Sequence, residues 1–114
     1  MIEQPDTQDY DELLRIWELA VRSTHHFLTE NDILCYKPLV RDEYFQAVEL
    51  YMLCGSTGRI AAFLGLSEDN IEMLFVHPDE QGRGYGKCLI DFAVHEKRIY
   101  KVDVNEQNEK AFHF

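Results

Sequence analysis

The residues from Gln81 to Lys87 combine a flexible backbone with positive charge. Three glycines stand at alternate positions of this stretch: Gly82, Gly84 and Gly86. Arg83 and Lys87 add two cationic side chains, an apolar run from Ile71 to Val76 comes before, and a helical pattern begins at once. The first N–H groups of a helix have no partner inside the helix, and the helix dipole favours negative charge there. The pattern therefore predicts an anion-binding site.

Two common phosphate-binding loops do not fit this stretch. The end of the P-loop pattern, Gly-x-x-x-x-Gly-Lys-Ser/Thr, matches Gly86 and Lys87. Its first glycine and its hydroxyl residue are missing, because Gln81 and Cys88 stand at those positions. The dinucleotide pattern Gly-x-Gly-x-x-Gly also fails, because the third glycine comes one position early. The loop therefore belongs to neither class.

Apolar periodicity and turn signals predict the elements that position the loop. The predicted strands are Met1–Pro5, Ala47–Cys54, Arg59–Leu66, Ile71–Val76 and Tyr100–Val104. The predicted helices run from caps at Asp6, Thr7 or Asp9 to Thr24, from Asn31 or Asp32 to Gln46 with a break or kink at Pro38, from Gly84 to Lys97, and from Asn105 onward. The order β–α–α–β–β–β–α–β–α predicts an α/β (α+β) fold with a mixed, mostly antiparallel sheet flanked by helices. The last strand has to pair in parallel, across the helix that follows the loop.

Length and composition narrow the class of protein. With 114 residues the chain is one domain, and its formal net charge of −10 argues against a nucleic-acid partner. That charge either serves solubility or draws in a cationic substrate. No apolar run reaches the roughly 20 residues that span a bilayer, and the N-terminus lacks a signal-peptide pattern, so we expect no membrane partner. Three widely spaced cysteines predict a reduced, cytoplasmic protein without a metal site.

A family resemblance rests on two stretches. Gln81-Gly82-Arg83-Gly84-Tyr85-Gly86 matches Gln/Arg-x-x-Gly-x-Gly/Ala and follows a strand that ends in Val76-His77-Pro78. The segment from Asn108 to Phe114 matches Asn-x-x-Ala-x-x-Phe. These stretches resemble the GNAT acyl-CoA N-acyltransferases, and residues 24–28 and 104–109 resemble the small bacterial YjaB-like branch of that family. Because the resemblance covers nearly the whole chain, we expect residues 1–114 to form a single GNAT-type acyl-CoA-binding domain.

The resemblance implies acetyl-CoA as the cosubstrate. Loop N–H groups would hold its pyrophosphate, and the backbone of the preceding strand would pair with its pantetheine arm, as an added strand does. The implied cofactor-binding residues are Phe75, Val76, His77, Gln81, Gly82, Arg83, Gly84, Tyr85, Gly86, Lys87 and Asn108. The alternative is a glycine-rich turn that binds no ligand.

Acyl transfer to an amine needs a neutral amine, a polarised thioester carbonyl and a proton for the leaving thiolate. The resemblance implies that the main-chain N–H of Val76 supports the developing oxyanion. Glu72 is the candidate base, since period-two alternation puts it on one face with Leu74 and Val76; the alternative is a solvated carboxylate. His25 is a second candidate, in the loop that borders the acceptor site in this family. Its alternative is a capping or surface role.

The family's usual catalytic acid is a tyrosine directly after the Asn-x-x-Ala-x-x-Phe motif, a position that follows Phe114. The resemblance therefore predicts a C-terminally incomplete domain that lacks the last two strands. The strand Tyr100–Val104 would then expose an edge that recruits other chains. We expect either a homodimer or low stability.

The expected function is that of an N-acetyltransferase. It would move an acetyl group from acetyl-CoA to the amine of a small molecule or peptide, by direct attack in a ternary complex. Two alternatives stay open at this point: a domain that binds CoA without turnover, and a non-enzymatic interaction domain.

Overall fold

The computed structural model describes residues 2–24, 29–68, 70–99 and 101–102. Its strands are β1 (Ile2–Glu3), β2 (Glu49–Cys54), β3 (Ile60–Leu66), β4 (Asn70–Val76) and β5 (Lys101–Val102). Its α-helices are α1 (Tyr10–Thr24), α2 (Glu30–Leu39), α3 (Phe45–Ala47) and α4 (Tyr85–His95). A π-helical segment, Val40–Tyr44, joins α2 to α3, and 3-10 turns cover Thr7–Asp9 and Pro78–Glu80.

The strands form one sheet in the order β1-β2-β3-β4-β5. The first four are antiparallel neighbours, and β5 pairs with β4 in parallel. The predicted mixed, mostly antiparallel sheet is therefore confirmed. Of the predicted last strand, Lys101 and Val102 are confirmed as strand, whereas its other residues and the predicted final helix lie outside the described part of the chain.

Helices cover the sheet on both faces. On one face, Leu89 and Ala93 of α4 pack in a buried cluster with Leu64 of β3. On the other face, Leu13 of α1 packs in a second cluster with Phe63. Neighbouring residues of a strand point to opposite faces, so β3 needs apolar side chains at successive positions. This requirement explains the continuous apolar run of β3.

Helix α1 begins after a capping box and buries one apolar face. The N–H of Gln8 donates to Asp6 Oδ1 at 2.9 Å, and the N–H of Asp6 donates to Asp9 Oδ2 at 3.1 Å. These side chains satisfy N–H groups that a helix start leaves without partners. The apolar face of the helix includes four buried residues: Leu13, Trp17, Ala20 and Val21.

The second helical region differs from its prediction at both ends. It starts at Glu30 rather than Asn31 or Asp32, because Thr29 and Asp32 form a capping box with bonds of 3.0 and 3.1 Å. Pro38 has no N–H to donate, and the π-helical segment begins two residues later. The chain stays helical through Ala47, so the predicted strand start at that residue is wrong.

Helix α4 ends at His95, two residues before its predicted end at Lys97. Arg98 adopts a left-handed conformation with φ of 58°, and the N–H of Ile99 donates back to Ala93 O at 3.0 Å. This turn redirects the chain towards β5. Lys97 and Arg98 therefore do not lie in the last helical turn. Lys97 Nζ instead lies 5.0 Å from the ring centroid of Tyr51.

An ion-pair network ties α2 to α1. Glu18 of α1 accepts from Lys37 of α2 at 2.8 Å and from Arg22 at 2.9 Å, while Arg22 also binds both carboxylate oxygens of Glu30. The hydrogen bond from Lys37 lowers the pKa of the Glu18 carboxyl below its ordinary value. Burial acts in the opposite direction, and Arg22 adds to the lowering. The ionised form of Glu18 therefore stabilises the fold.

We predict that Glu18→Gln lowers the free energy of unfolding by about 1 kcal/mol at neutral pH. A lowered folded-state pKa gives stability that is present above the unfolded value of 4.5 and is lost as the pH falls through the folded value. The difference from wild type should therefore shrink as the pH falls below 4.5 and vanish once the carboxyl is protonated in the folded state as well. Urea unfolding of wild type and variant between neutral and acidic pH measures the free energy of unfolding. Glu12→Gln, on the same helix, is the control, and equal effects of the two substitutions would contradict the assignment.

Candidate cofactor and acyl-transfer site

The predicted loop begins at a corner that His77 holds in place. The backbone N–H of His77 donates to Ala61 O of β3 at 2.8 Å, which extends the β3–β4 pairing one residue past Val76. The carbonyl of His77 accepts from the N–H of Glu80 at 2.8 Å, and its ring Nδ1 accepts from the N–H of Asp79 at 3.0 Å. The chain thus turns sharply off the sheet into the 3-10 turn Pro78–Glu80.

Two glycines of the loop adopt a conformation that side chains disfavour. Gly82 has φ of 83° and Gly84 has φ of 85°, both in the left-handed region. A Cβ at either position would point into open space, with no described atom within 4 Å. Gly84 is the residue directly before α4, and Gly86 is buried in its first turn. The backbone path therefore requires glycine at Gly82 and Gly84, and the space beside them is open to a ligand.

The loop presents several unpaired donors. Gln81 and Arg83 close the turns that follow β4, whereas the backbone N–H groups of Gly82 and of residues 84–87 donate no hydrogen bond to any residue that the structure describes. The next donor along the chain is the N–H of Cys88, which bonds to Gly84 O at 3.0 Å. Four of these five groups form the start of α4, where the helix dipole is positive. The arrangement can bind a multiply charged anion such as a pyrophosphate.

The two cationic side chains of the loop already have acidic neighbours. Arg83 Nε lies 3.4 Å from Glu80 Oε2, and Lys87 Nζ lies 3.3 Å from Asp91 Oδ2. Glu80 Oε2 is buried and has no hydrogen bond among the described residues, so the contact with Arg83 is an ion pair without hydrogen-bond geometry. Both cations are well exposed. The unpaired backbone groups are therefore the main donors of this site, and the cations add to them.

Strand β4 leads into the loop with one backbone edge towards β5. In an antiparallel pair, residues alternate between bonding to the partner strand and pointing away from it. His77 bonds to β3, so the alternation turns the N–H and C=O of Val76 towards the β5 side. The backbone N–H groups of Phe75 and His77 point towards β3 instead. Of the three residues predicted to pair with a pantetheine arm, Val76 is the one whose backbone groups face this edge.

Glu72 occupies a β-bulge, which sequence periodicity did not predict. Gly65 pairs with Met73 and Leu66 pairs with Ile71, so Glu72 has no partner on β3. Ile71 packs on the α4 side of the sheet together with Leu74 and Val76. Met73 and Phe75 pack on the α1 side, so the side chains alternate regularly from Met73 to Val76 and the irregularity lies at Ile71. The extra residue of the bulge causes it. The placement of Glu72 on the face of Leu74 and Val76 stays a prediction.

Two side chains hold the carboxylate of Glu72. Ser67 Oγ donates to Glu72 Oε1 at 2.9 Å, and Asn70 Nδ2 approaches the same oxygen at 3.5 Å. Glu72 Oε2 has no hydrogen bond within the described residues, and it is not among their buried unpaired atoms. One oxygen is thus anchored by the β3–β4 turn, and the other is accessible as a proton acceptor.

Sequence reasoning missed the residues that support the site. Ser67 and Asn70 lie between the predicted strands Arg59–Leu66 and Ile71–Val76, and the sequence predicts neither their contacts with Glu72 nor the bond from Asp79 to the His77 ring. The sequence signal that could have indicated these contacts is the spacing Ser67-x-x-Asn70 shortly before Glu72. The predicted residues His25 and Asn108 lie outside the described part of the chain.

Three comparisons with known proteins agree with this geometry. Residues 41–114 match the model of the acetyltransferase (GNAT) domain family. Over 107 residues the chain is 31% identical to the peptidyl-lysine N-acetyltransferase YjaB of Escherichia coli strain K12, a match that covers 94% of this chain and 72% of that protein. The solution structure of apo-form YjaB from Escherichia coli superposes with a TM-score of 0.84 at 30% identity, covering 97% of this chain and 75% of that one.

A more distant structure shares the fold. The crystal structure of the PaiA N-acetyltransferase from Thermoplasma acidophilum, in complex with coenzyme A, superposes with a TM-score of 0.77 at 14% identity. The match covers 98% of this chain and 83% of that one. At this identity the likeness concerns the fold alone.

The chain belongs to the GNAT family of N-acetyltransferases. The family model matches more than half of its residues, and the relative at 31% identity is covered over most of its length. The resemblance inferred from the loop and from the final motif is confirmed, including its relation to YjaB. In the part of the chain that the structure describes, no helix is long and apolar enough to cross a membrane.

Proposed function

We propose that this chain transfers the acetyl group of acetyl-CoA to a primary amine, and that residues 81–87 hold the pyrophosphate of the cofactor. The unpaired N–H groups of Gly82 and of residues 84–87 carry the proposal. Their number and their place at the start of α4 suit two linked phosphates. Acetyltransferase family membership and the coenzyme A bound to the PaiA structure support this choice of ligand.

The pantetheine arm would extend from the loop along the β5-facing edge of β4. Its amides would pair with the N–H and C=O of Val76, as an added strand pairs with a sheet edge. The described pairing of β4 with β5 involves Asn70 and Ile71, at the other end of the strand. The thioester would then lie beside β4, between the loop and Glu72.

The chemistry would be a direct attack in a ternary complex. The amine nitrogen bonds to the thioester carbon, the C–S bond breaks, and the leaving thiolate takes up a proton. Glu72 Oε2 would accept the proton that the amine loses, either directly or through water. The N–H of Val76 would stabilise the developing oxyanion. Glu72 lies four residues from Val76, about 13 Å along the strand, so the proton would pass along a chain of water molecules rather than through a single bridging water.

The acceptor is an amine for which a peptide lysine and a small molecule are both candidates. YjaB is named a peptidyl-lysine N-acetyltransferase, which favours the side chain of a lysine in a peptide. The net charge of −10 suits a cationic acceptor of either kind. Incubation with acetyl-CoA and either a lysine peptide or a polyamine, followed by mass spectrometry, distinguishes the two, because each acetylation adds one acetyl mass to its acceptor.

We also propose that the protein is located in the cytoplasm. The three cysteines, Cys35, Cys54 and Cys88, are all free thiols, which suits a reducing cytoplasm.

The exposed edge of the sheet also suggests a homodimer. Within the described residues β5 lies at one end of the sheet, so a second copy of the chain could pair with that edge. A monodisperse monomer in light scattering would contradict the dimer.

We predict that Gly84→Val weakens CoA binding by about 100-fold or more, because the substitution both strains the loop and places a side chain where the phosphates would approach. Isothermal titration calorimetry measures the affinity. Gly58→Val is the matched control. Gly58 has φ of 83° and open space around its Cβ, but it lies in the β2–β3 turn. That variant should bear a similar strain and keep its affinity for CoA. An unchanged affinity in Gly84→Val would refute the assignment of the loop.

We predict that Glu72→Gln lowers kcat by about 100-fold and leaves the Kd for CoA within about twofold of wild type, because it removes the proton acceptor without touching the loop. Steady-state kinetics and calorimetry supply the two values. Glu68→Gln is the control, since this exposed carboxylate lies in the same β3–β4 turn. If both variants retain full kcat, Glu72 is not the base.

A further inference from the structure

The His77 side chain is buried at the corner between the two proposed halves of the cofactor site. The residue is 8% exposed, and it is the buried polar residue of the described core. Val76, whose backbone faces the proposed pantetheine edge, directly precedes it, and the first free N–H group of the loop, that of Gly82, comes five residues later. Any rotation of the chain at His77 would therefore change the position of one half relative to the other.

Three different groups of His77 fix this corner. Its N–H is held by Ala61 of β3, its carbonyl is held by Glu80, and its ring Nδ1 accepts from the N–H of Asp79. The first two are backbone contacts that any residue other than proline can make. The third depends on the side chain, and it satisfies a backbone donor in the 3-10 turn.

The bond to Asp79 defines the form of the imidazole. A nitrogen that accepts a hydrogen bond carries no proton, so the ring is neutral and its proton lies on Nε2. Asp79 Oδ2 lies 3.9 Å from Nδ1, but this carboxylate is 89% exposed and belongs to the turn itself. The Nδ1 atom, which accepts this hydrogen bond, is thus the part of the His77 side chain that stabilises the corner.

We propose that His77 is a positioning residue for the cofactor: its Nδ1 fixes the corner that aligns the free N–H groups of residues 81–87 with the open edge of β4 at Val76. This inference rests on the proposed function, since it assumes that one ligand spans both halves. The cofactor would contact only the backbone at this position, and the proposal adds that the side chain of His77 is also required for binding.

A matched pair of amide substitutions tests the role of Nδ1. In His77→Asn the side-chain oxygen can occupy the Nδ1 position and accept from the N–H two residues on, as in an Asx-turn. In His77→Gln the amide reaches the Nε2 position instead, so the acceptor near Asp79 is lost. Both variants are neutral and polar, and they differ by one methylene group. His95→Asn and His95→Gln, at the exposed end of α4, are the controls.

The expected result is a difference between the two variants. His77→Asn should keep the Kd for CoA within about threefold of wild type, whereas His77→Gln should raise it about tenfold, the cost of one lost hydrogen bond in an aligned site. The KM for acetyl-CoA should rise in parallel, and the KM for the amine should not change. The His95 variants should bind as wild type does. Equal affinities of the two His77 variants, whether both weakened or both retained, would overturn the proposal.

Amide hydrogen exchange provides a readout that needs no ligand. The N–H of Asp79 should be protected in wild type and in His77→Asn, and it should exchange faster in His77→Gln. Loss of this protection without a change in CoA affinity would refute the positioning role. If wild type itself binds no CoA, the proposed function fails, while the exchange pattern still reports whether Nδ1 holds the corner.

Discussion

Five backbone N–H groups of the glycine loop, those of Gly82 and of residues 84–87, have no acceptor among the described residues. Backbone donors are strong hydrogen-bonding groups, and folded chains pair nearly all of them with protein, water or ligand. Their concentration at one helix start creates a strongly electropositive patch in a chain of net charge −10. A local arrangement of dipoles therefore outweighs the overall charge, because screening limits the reach of distant carboxylates to about 8 Å in physiological salt.

The rest of the fold serves to hold that patch next to a sheet edge. β3 is buried on both faces and anchors β4, and β4 in turn determines where the loop starts. Helix α4 packs against the sheet through Leu89 and Ala93, which fixes the direction of its N-terminus. Glu72 lies at a bulge in β4, and Ser67 of the β3–β4 turn anchors its carboxylate. The proposed cofactor loop, the proposed pantetheine edge and the proposed base thus all depend on the same strand.

Much of this arrangement could be predicted from the sequence, because its signals are local. Turn residues and apolar periodicity gave the three-strand series, and the glycine spacing gave the loop and the helix that follows it. The bulge at Glu72 could not be read in this way, since it depends on which residue of β3 faces which residue of β4. The early end of α4 depends on the left-handed conformation of Arg98, and arginine is not a residue type that favours this conformation.

The same distinction applies to the candidate site. The loop residues were predicted by motif, and the structure adds the reason that they suit an anion. The bond from Asp79 to the His77 ring arises from a corner that forms when the turn packs against β3, so no pattern in the sequence marks it. Ser67 and Asn70 approach Glu72 because the turn folds back on the strand, which again requires the tertiary structure.

The most direct test of the central claim is a titration of the ¹⁵N-labelled protein with CoA, followed by amide chemical shifts. The amide signals of residues 81–87 and of Val76 should shift most, with the loop protons moving downfield as they bind phosphate oxygens. Saturable shifts centred elsewhere in the chain, or unchanged loop amides at millimolar CoA, would contradict it.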